Sequence, residues 1–115
     1  MNLPNLPDSA SEHYHQVHFV AWFRRNFPCQ TIFAIPNGGH RHKGTAMKLR
    51  AEGVMAGALD LMWLEGRCFI EMKRPGGRLS AAQKEFIAKA EAAGYGVIVG
   101  YGARDAAEKI IAFGN

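Results

Sequence analysis

Apolar and polar positions alternate with two different periods along this chain, and the order of those stretches predicts its elements. Tyr14, Val17, Phe19, Val20 and Phe23 recur at helical spacing behind Ser9-x-x-Glu12, a capping box, and Pro28 bounds the end of that helix. Residues up to Pro7 read as an extended lead-in. Thr31 to Ile35 is a short β-branched and aromatic run, a strand that Pro36 breaks. Thr45 to Glu52 returns to helical spacing, with Ala46, Leu49 and Met47 inward, Lys48 and Arg50 outward, and Gly53 as its stop. Asp60 to Lys73 then holds two apolar runs around Glu65-Gly66, the pattern of a β-hairpin. Ser80 to Gln83 is a second capping box, opening a helix with Phe86, Ile87 and Ala90 on one face and Gly94 beyond its end. Tyr95 to Val99 is an apolar strand, and Asp105 to Glu108 repeats the cap pattern ahead of a last helix that packs Ile110 and Ile111. The order α-β-α-β-β-α-β-α predicts an α/β fold, a small mixed sheet flanked by helices.

The hairpin carries the strongest chemical signal. With Glu65 and Gly66 as a two-residue turn, Leu64 faces Arg67 and the antiparallel count sets Asp60 opposite Glu71. A four-residue loop keeps that register and a three-residue loop breaks it. Opposed residues have side-chain roots about 5 Å apart, and Lys73, two positions beyond Glu71, projects from the same sheet face. Two facing carboxylates repel unless one is protonated or a cation lies between them. The bland alternative leaves one of them solvated at a strand end. Hard cations such as Mg²⁺ take one or two carboxylates and complete their shell with water and phosphate oxygens, so the pattern fits metal-assisted phosphodiester hydrolysis.

Composition sharpens the choice of partner. The 115 residues read as one domain, 48% hydrophobic, with a net charge of +4 and five histidines. A basic surface favours a polyanionic partner. Cys29 and Cys68 lack Cys-x-x-Cys spacing and read as buried reduced thiols, which with the absence of a secretory signal pattern or an apolar run of membrane length predicts a cytoplasmic protein with no membrane partner.

Two basic stretches surround the hairpin. Pro36-Asn37-Gly38-Gly39 followed by His40, Arg41, His42 and Lys43 is either an ordinary turn or, favoured by its crowded basic residues, a loop whose glycines let a nucleic-acid backbone approach. Arg74 and Arg78 add charge in the loop after Lys73. Among His13, His15 and His18 no pair is four apart, so surface placement or phosphate contact is expected ahead of a zinc site. Glu12 and Gln83 are each explained by helix capping alone.

Taken together these residues resemble one family. Asp60 with Glu71-x-Lys73 looks like the PD-(D/E)xK nuclease signature, and the ordered set of Glu12, the Pro36 to Arg41 loop, Gly57-x-x-Asp60, Glu71-x-Lys73 and Ser80-x-x-Gln83 resembles its VRR-NUC branch, the virus-type replication-repair nuclease domain. The family's proline before the aspartate is replaced here by Leu59, a difference of backbone geometry and not of ligation. The resemblance implies a restriction-endonuclease-like fold and a metal-dependent endonuclease acting on DNA, structure-selective for branched forms such as four-way junctions or flaps. It implies Mg²⁺ or Mn²⁺ held by Asp60, Glu71 and the Met72 backbone carbonyl, with Glu12 as a further acid, directly or through water. Lys73 would orient the attacking water or neutralise charge on phosphorus, and Gln83 would reach the site. Asn37, Gly38, Gly39, His40, Arg41, Lys43, Arg74 and Arg78 would contact nucleic acid. A 5′-phosphate product and a homodimer on two-fold substrates follow from the same resemblance, and no nucleotide cofactor is expected. The alternatives are a non-catalytic basic binding module and an RNA nuclease on the same scaffold.

Overall fold

In the computed structural model, residues 1–36 and 43–113 are described. The elements follow the predicted order: α1 (Glu12–Asn26), β1 (Ile32–Ala34), α2 (Lys43–Ala51), β2 (Leu61–Trp63), β3 (Cys68–Lys73), α3 (Ala81–Ala92), β4 (Gly96–Tyr101) and α4 (Ala103–Ala112). They build one four-stranded mixed sheet in the order β1-β2-β3-β4, antiparallel between β1, β2 and β3 and parallel between β3 and β4.

The hairpin register is as expected. Leu61 pairs with Ile70, Met62 with Phe69 and Trp63 with Cys68, which carries Asp60 to the level of Glu71 one step beyond the ladder. The turn closes with the Arg67 amide donating to the Leu64 carbonyl at 3.0 Å. Gly66 is required there, because a Cβ would lie 2.4 Å from the Trp63 ring. The Glu65 carboxylate reaches back to β1, accepting from the Thr31 amide at 2.6 Å and the Thr31 hydroxyl at 2.8 Å. Those two bonds hold Glu65 below the usual carboxylate range.

The alternation of β3 divides the molecule into two layers. Cys68, Ile70 and Met72 turn to one face and join Phe19, Trp22 and Phe23 of α1 and Ala103, Ala106, Ala107 and Ile110 of α4 in the core. Each large side chain buried there contributes roughly 1.5–3 kcal/mol of apolar transfer. Phe69, on the opposite face, packs edge-on against Phe86 of α3 with ring centroids 5.2 Å apart. Glu71 and Lys73 follow Phe69 on that face.

Several boundaries differ from the sequence expectation. The first helix is capped by Ser11, whose hydroxyl accepts from the Tyr14 amide, and not by Ser9, so Glu12 is its first residue and does not close a capping box. Tyr14 and Val17 lie on the exposed side of α1, because the core stripe runs through His15, Phe19, Trp22 and Phe23. Met47 is exposed on α2, and of the two cysteines only Cys68, inside β3, is buried, while Cys29, in the turn after α1, is exposed. The last helix begins at Ala103, with Gly102 at its cap position; Asp105 lies inside it and accepts from the Tyr101 amide. On that helix Ile110 is buried and Ile111 is exposed, since a helix of ten residues presents only one stripe to the sheet. No helix among the described residues is long and apolar enough to cross a membrane.

Candidate metal and nucleic-acid site

Three carboxylates meet at the open end of the hairpin. Glu12, Asp60 and Glu71 each offer an oxygen within 4.8 Å of the others. Asp60 follows from the register: the Ile35 amide donates to its carbonyl at 2.8 Å on the β1 side, and its Oδ2 accepts from the Met72 amide at 2.8 Å on the β3 side. Glu71 comes from the face of β3 that α3 covers. Glu12 arrives from the first turn of α1, the helix on the opposite face.

Glu71 is the most constrained member, only 1% exposed. Its Oε2 accepts from Gln83 Nε2 at 2.8 Å and lies 3.5 Å from Lys73 Nζ. Its Oε1 is buried with no hydrogen-bond partner among the described residues. Burial, then the neighbouring Asp60 carboxylate, push the Glu71 carboxyl up to about 8, with Lys73 opposing. Burial likewise raises Glu12, assisted by Asp60 and opposed by Lys73 and Arg74. A buried carboxylate with one orphaned oxygen, beside two more acids, has the electrostatics of a cation site with only a proton to relieve it.

The donor set fits a hard divalent ion. Oxygen ligands about 2.1 Å from Mg²⁺ stand about 3 Å apart when adjacent and about 4.2 Å apart when opposite. A 4.8 Å spread therefore suits direct contact by two carboxylates, with the third drawn in by a few tenths of an ångström or linked through water. Met72 adds its backbone: strand residues alternate the side to which their N–H and C=O point, so its carbonyl opens to the β2 side along with the amide that binds Asp60.

Gln83 does two things at once. Its Oε1 accepts from the Ser80 amide at 2.9 Å while its own amide donates to Ser80 Oγ at 3.1 Å, closing the capping box. Because the cap occupies the amide oxygen, the NH₂ end is the one presented to Glu71. One side chain thus closes the cap and also donates to Glu71.

The basic candidates divide. Arg74 lies near enough to Glu12 to lower its carboxyl, and Arg78 lines an open groove with Gly77, Lys84 and Tyr101. Asn37, Gly38, Gly39, His40 and Arg41 lie outside the described residues, as does the side chain of Lys43 at the start of α2. His15 is not on the surface: it is 3% exposed, and its Nδ1 accepts from the Ala103 amide at 3.0 Å, so it serves the start of α4. A neighbour of the site that sequence did not bring forward is Tyr101, paired with Lys73 across the parallel β3–β4 ladder. Parallel register has no turn to count from, so nothing local marked it.

Comparison with known proteins agrees with this architecture. No family model and no curated protein matches the sequence. Among solved structures, one described as a VRR_NUC domain protein superposes with a TM-score of 0.75 and 25% sequence identity, over 91% of this chain and 88% of that one.

Proposed function

Since the chain is a VRR-NUC domain of the PD-(D/E)xK superfamily, a nuclease-type fold, we propose that it is a metal-dependent, structure-selective endonuclease that hydrolyses phosphodiester bonds in branched DNA. The observation that carries this reading is the convergence of Glu12, Asp60 and Glu71 within 4.8 Å beside the Lys73 ammonium. Asp60 and Glu71, with the Met72 carbonyl and Glu12 behind them, are the residues that would hold Mg²⁺ or Mn²⁺. When bound, such an ion supplies Lewis-acid polarisation of the scissile phosphate and neutralises its charge.

The chain's own residues do the rest. The Met72 amide fixes one oxygen of Asp60, and Gln83 with Lys73 fixes Oε2 of Glu71, so the remaining oxygens are oriented before substrate arrives. Lys73, held 3.5 Å from Glu71, brings a positive charge to the phosphorus as water attacks and the P–O3′ bond breaks. The attacking water gives up its proton to solvent water and the 3′ oxygen takes one from solvent, leaving a 3′ hydroxyl on one fragment and a 5′ phosphate on the other. Arg74 and Arg78, beside the site, and the basic stretch from His40 to Lys43 bind flanking phosphates. A four-way junction is two-fold symmetric, so paired cuts call for two copies of the chain.

The test is incubation of labelled flaps, splayed arms, four-way junctions and plain duplex, with RNA counterparts, in Mg²⁺, Mn²⁺ or chelator. Cleavage of a branched DNA that needs metal and is abolished in Asp60→Ala is expected. Intact substrates under every metal condition would overturn the assignment, and preferential cutting of the RNA set would move it to RNA.

A further inference from the structure

Beyond the acids, the same sheet face continues into a groove of which the chemistry described so far uses only Arg78. Tyr101 is the partner of Lys73 in the parallel ladder, and residues paired across a ladder project to the same face about 4.8 Å apart. Its side chain therefore stands beside Lys73 on the sheet face that carries Glu71, two residues along the strands from the Glu71–Val99 pair. The residue is 38% exposed and lines an open groove of about 390 Å³ together with Gly77, Arg78, Leu79 and Lys84. Gly77 joins that groove to the site, because its backbone backs onto Lys73: a Cβ there would lie 3.3 Å from the Lys73 Cβ.

From this juxtaposition we propose that Tyr101, Arg78 and Lys84 form a base-stacking subsite for an unpaired nucleotide next to the scissile bond. The proposal rests on the nuclease reading and deepens it. The volume suits one nucleotide, at the lower end of the 300–1,000 Å³ usual for small-ligand pockets. The two cationic side chains supply phosphate contacts. The tyrosine supplies a flat apolar face, and Lys109 fixes that ring: its Nζ stands 5.5 Å from the ring centroid while bonded to the Val99 carbonyl at 2.7 Å and to Asp105 at 2.9 Å. A base inside a duplex has both faces covered by its neighbours and cannot stack on protein, whereas an unpaired base can. The groove therefore selects a strand that leaves its duplex beside the scissile phosphate, and it accepts any base, because stacking reads no edge pattern.

The experiment compares wild type, Tyr101→Phe, Tyr101→Leu and Lys84→Glu. Binding of fluorescent duplex, and of the same duplex with an unpaired extension, is followed by anisotropy in Ca²⁺, and cleavage of both is followed in Mg²⁺. Stacking on an aromatic side chain is worth about 1–3 kcal/mol per base, so Tyr101→Leu is expected to lower the ratio of extended-duplex to duplex affinity by roughly tenfold. Tyr101→Phe keeps the ratio. Lys84→Glu, on the exposed side of α3 where folding is not at stake, lowers it as well. An unchanged ratio in both Tyr101→Leu and Lys84→Glu, with wild type still cutting, overturns the subsite and leaves the nuclease standing. Loss of all cleavage by wild type would instead remove the reading on which it rests.

Discussion

Glu71 in its charged form carries an energetic cost that a proton or a bound cation removes. Its carboxyl is pushed from the ordinary 4.5 up to about 8 by burial and by Asp60. The folded-state value lies above the unfolded one, so in the metal-free protein the stability that Glu71 contributes is fully present below about pH 4.5 and is lost as pH rises through about 8, at up to about 1.4 kcal/mol per unit. Thermal unfolding in chelator should show that decline. Glu71→Gln should flatten it and stabilise the metal-free protein at pH 8 by roughly 1–3 kcal/mol, and a wild-type midpoint level across this range would contradict the argument. Metal binding must displace the same proton, so Mg²⁺ affinity measured by calorimetry should rise with pH until about 8 and then level off. Lys73→Ala leaves Glu71 without its cationic neighbour, and its cleavage rate should fall by about a hundredfold or more while circular dichroism stays native.

At the level of elements, two junctions hold the site in shape. One is the start of α3, where Ser80 and Gln83 close the cap that also aims Gln83 at Glu71. Ser80→Ala removes only the hydroxyl that accepts from the Gln83 backbone amide, so it should cost about 1 kcal/mol in denaturant unfolding and leave metal binding close to wild type, because the backbone amide of residue 80 still donates to Gln83 Oε1 and fixes its orientation. The other is Gly57, three residues ahead of Asp60, which has φ +85° and lies so close to α3 that a Cβ would sit 2.6 Å from the Ala82 backbone. Gly57→Ala should therefore destabilise by roughly 2 kcal/mol or more through the combined strain and clash, and a neutral result in chemical denaturation would show that this segment yields more easily than its packing implies. The family's Gly-x-x-Asp pattern thus has a steric reason here, independent of any chemistry.

Across the whole molecule, the end of the sheet that carries the acids also gathers positive charge. Lys73, Arg74, Arg78 and Lys84 lie at or beside the site on a chain of net charge +4. Duplex affinity should fall with salt along a log–log slope of about −3 or steeper, which a titration from low to moderate ionic strength would read directly. A slope near zero would mean that phosphate contacts are not what binds the substrate.

Local rules made much of this legible from the chain alone. The succession of elements, the Asp60–Glu71 register and the Ser80–Gln83 cap follow from periodicity, turn length and spacing, all short-range properties that a linear sequence states directly. The start of α1 falls at Ser11 and not at Ser9, because which turn begins a helix depends on which turn packs against the core. What only the tertiary structure decided is what depends on elements distant in sequence. Glu12 joins the acids because α1 crosses the sheet where it does, His15 is buried under the start of α4, and Tyr101 stands beside Lys73 through a parallel pairing. Each of those contacts is fixed by how layers pack, and packing is a property of the assembled chain, not of any segment of it.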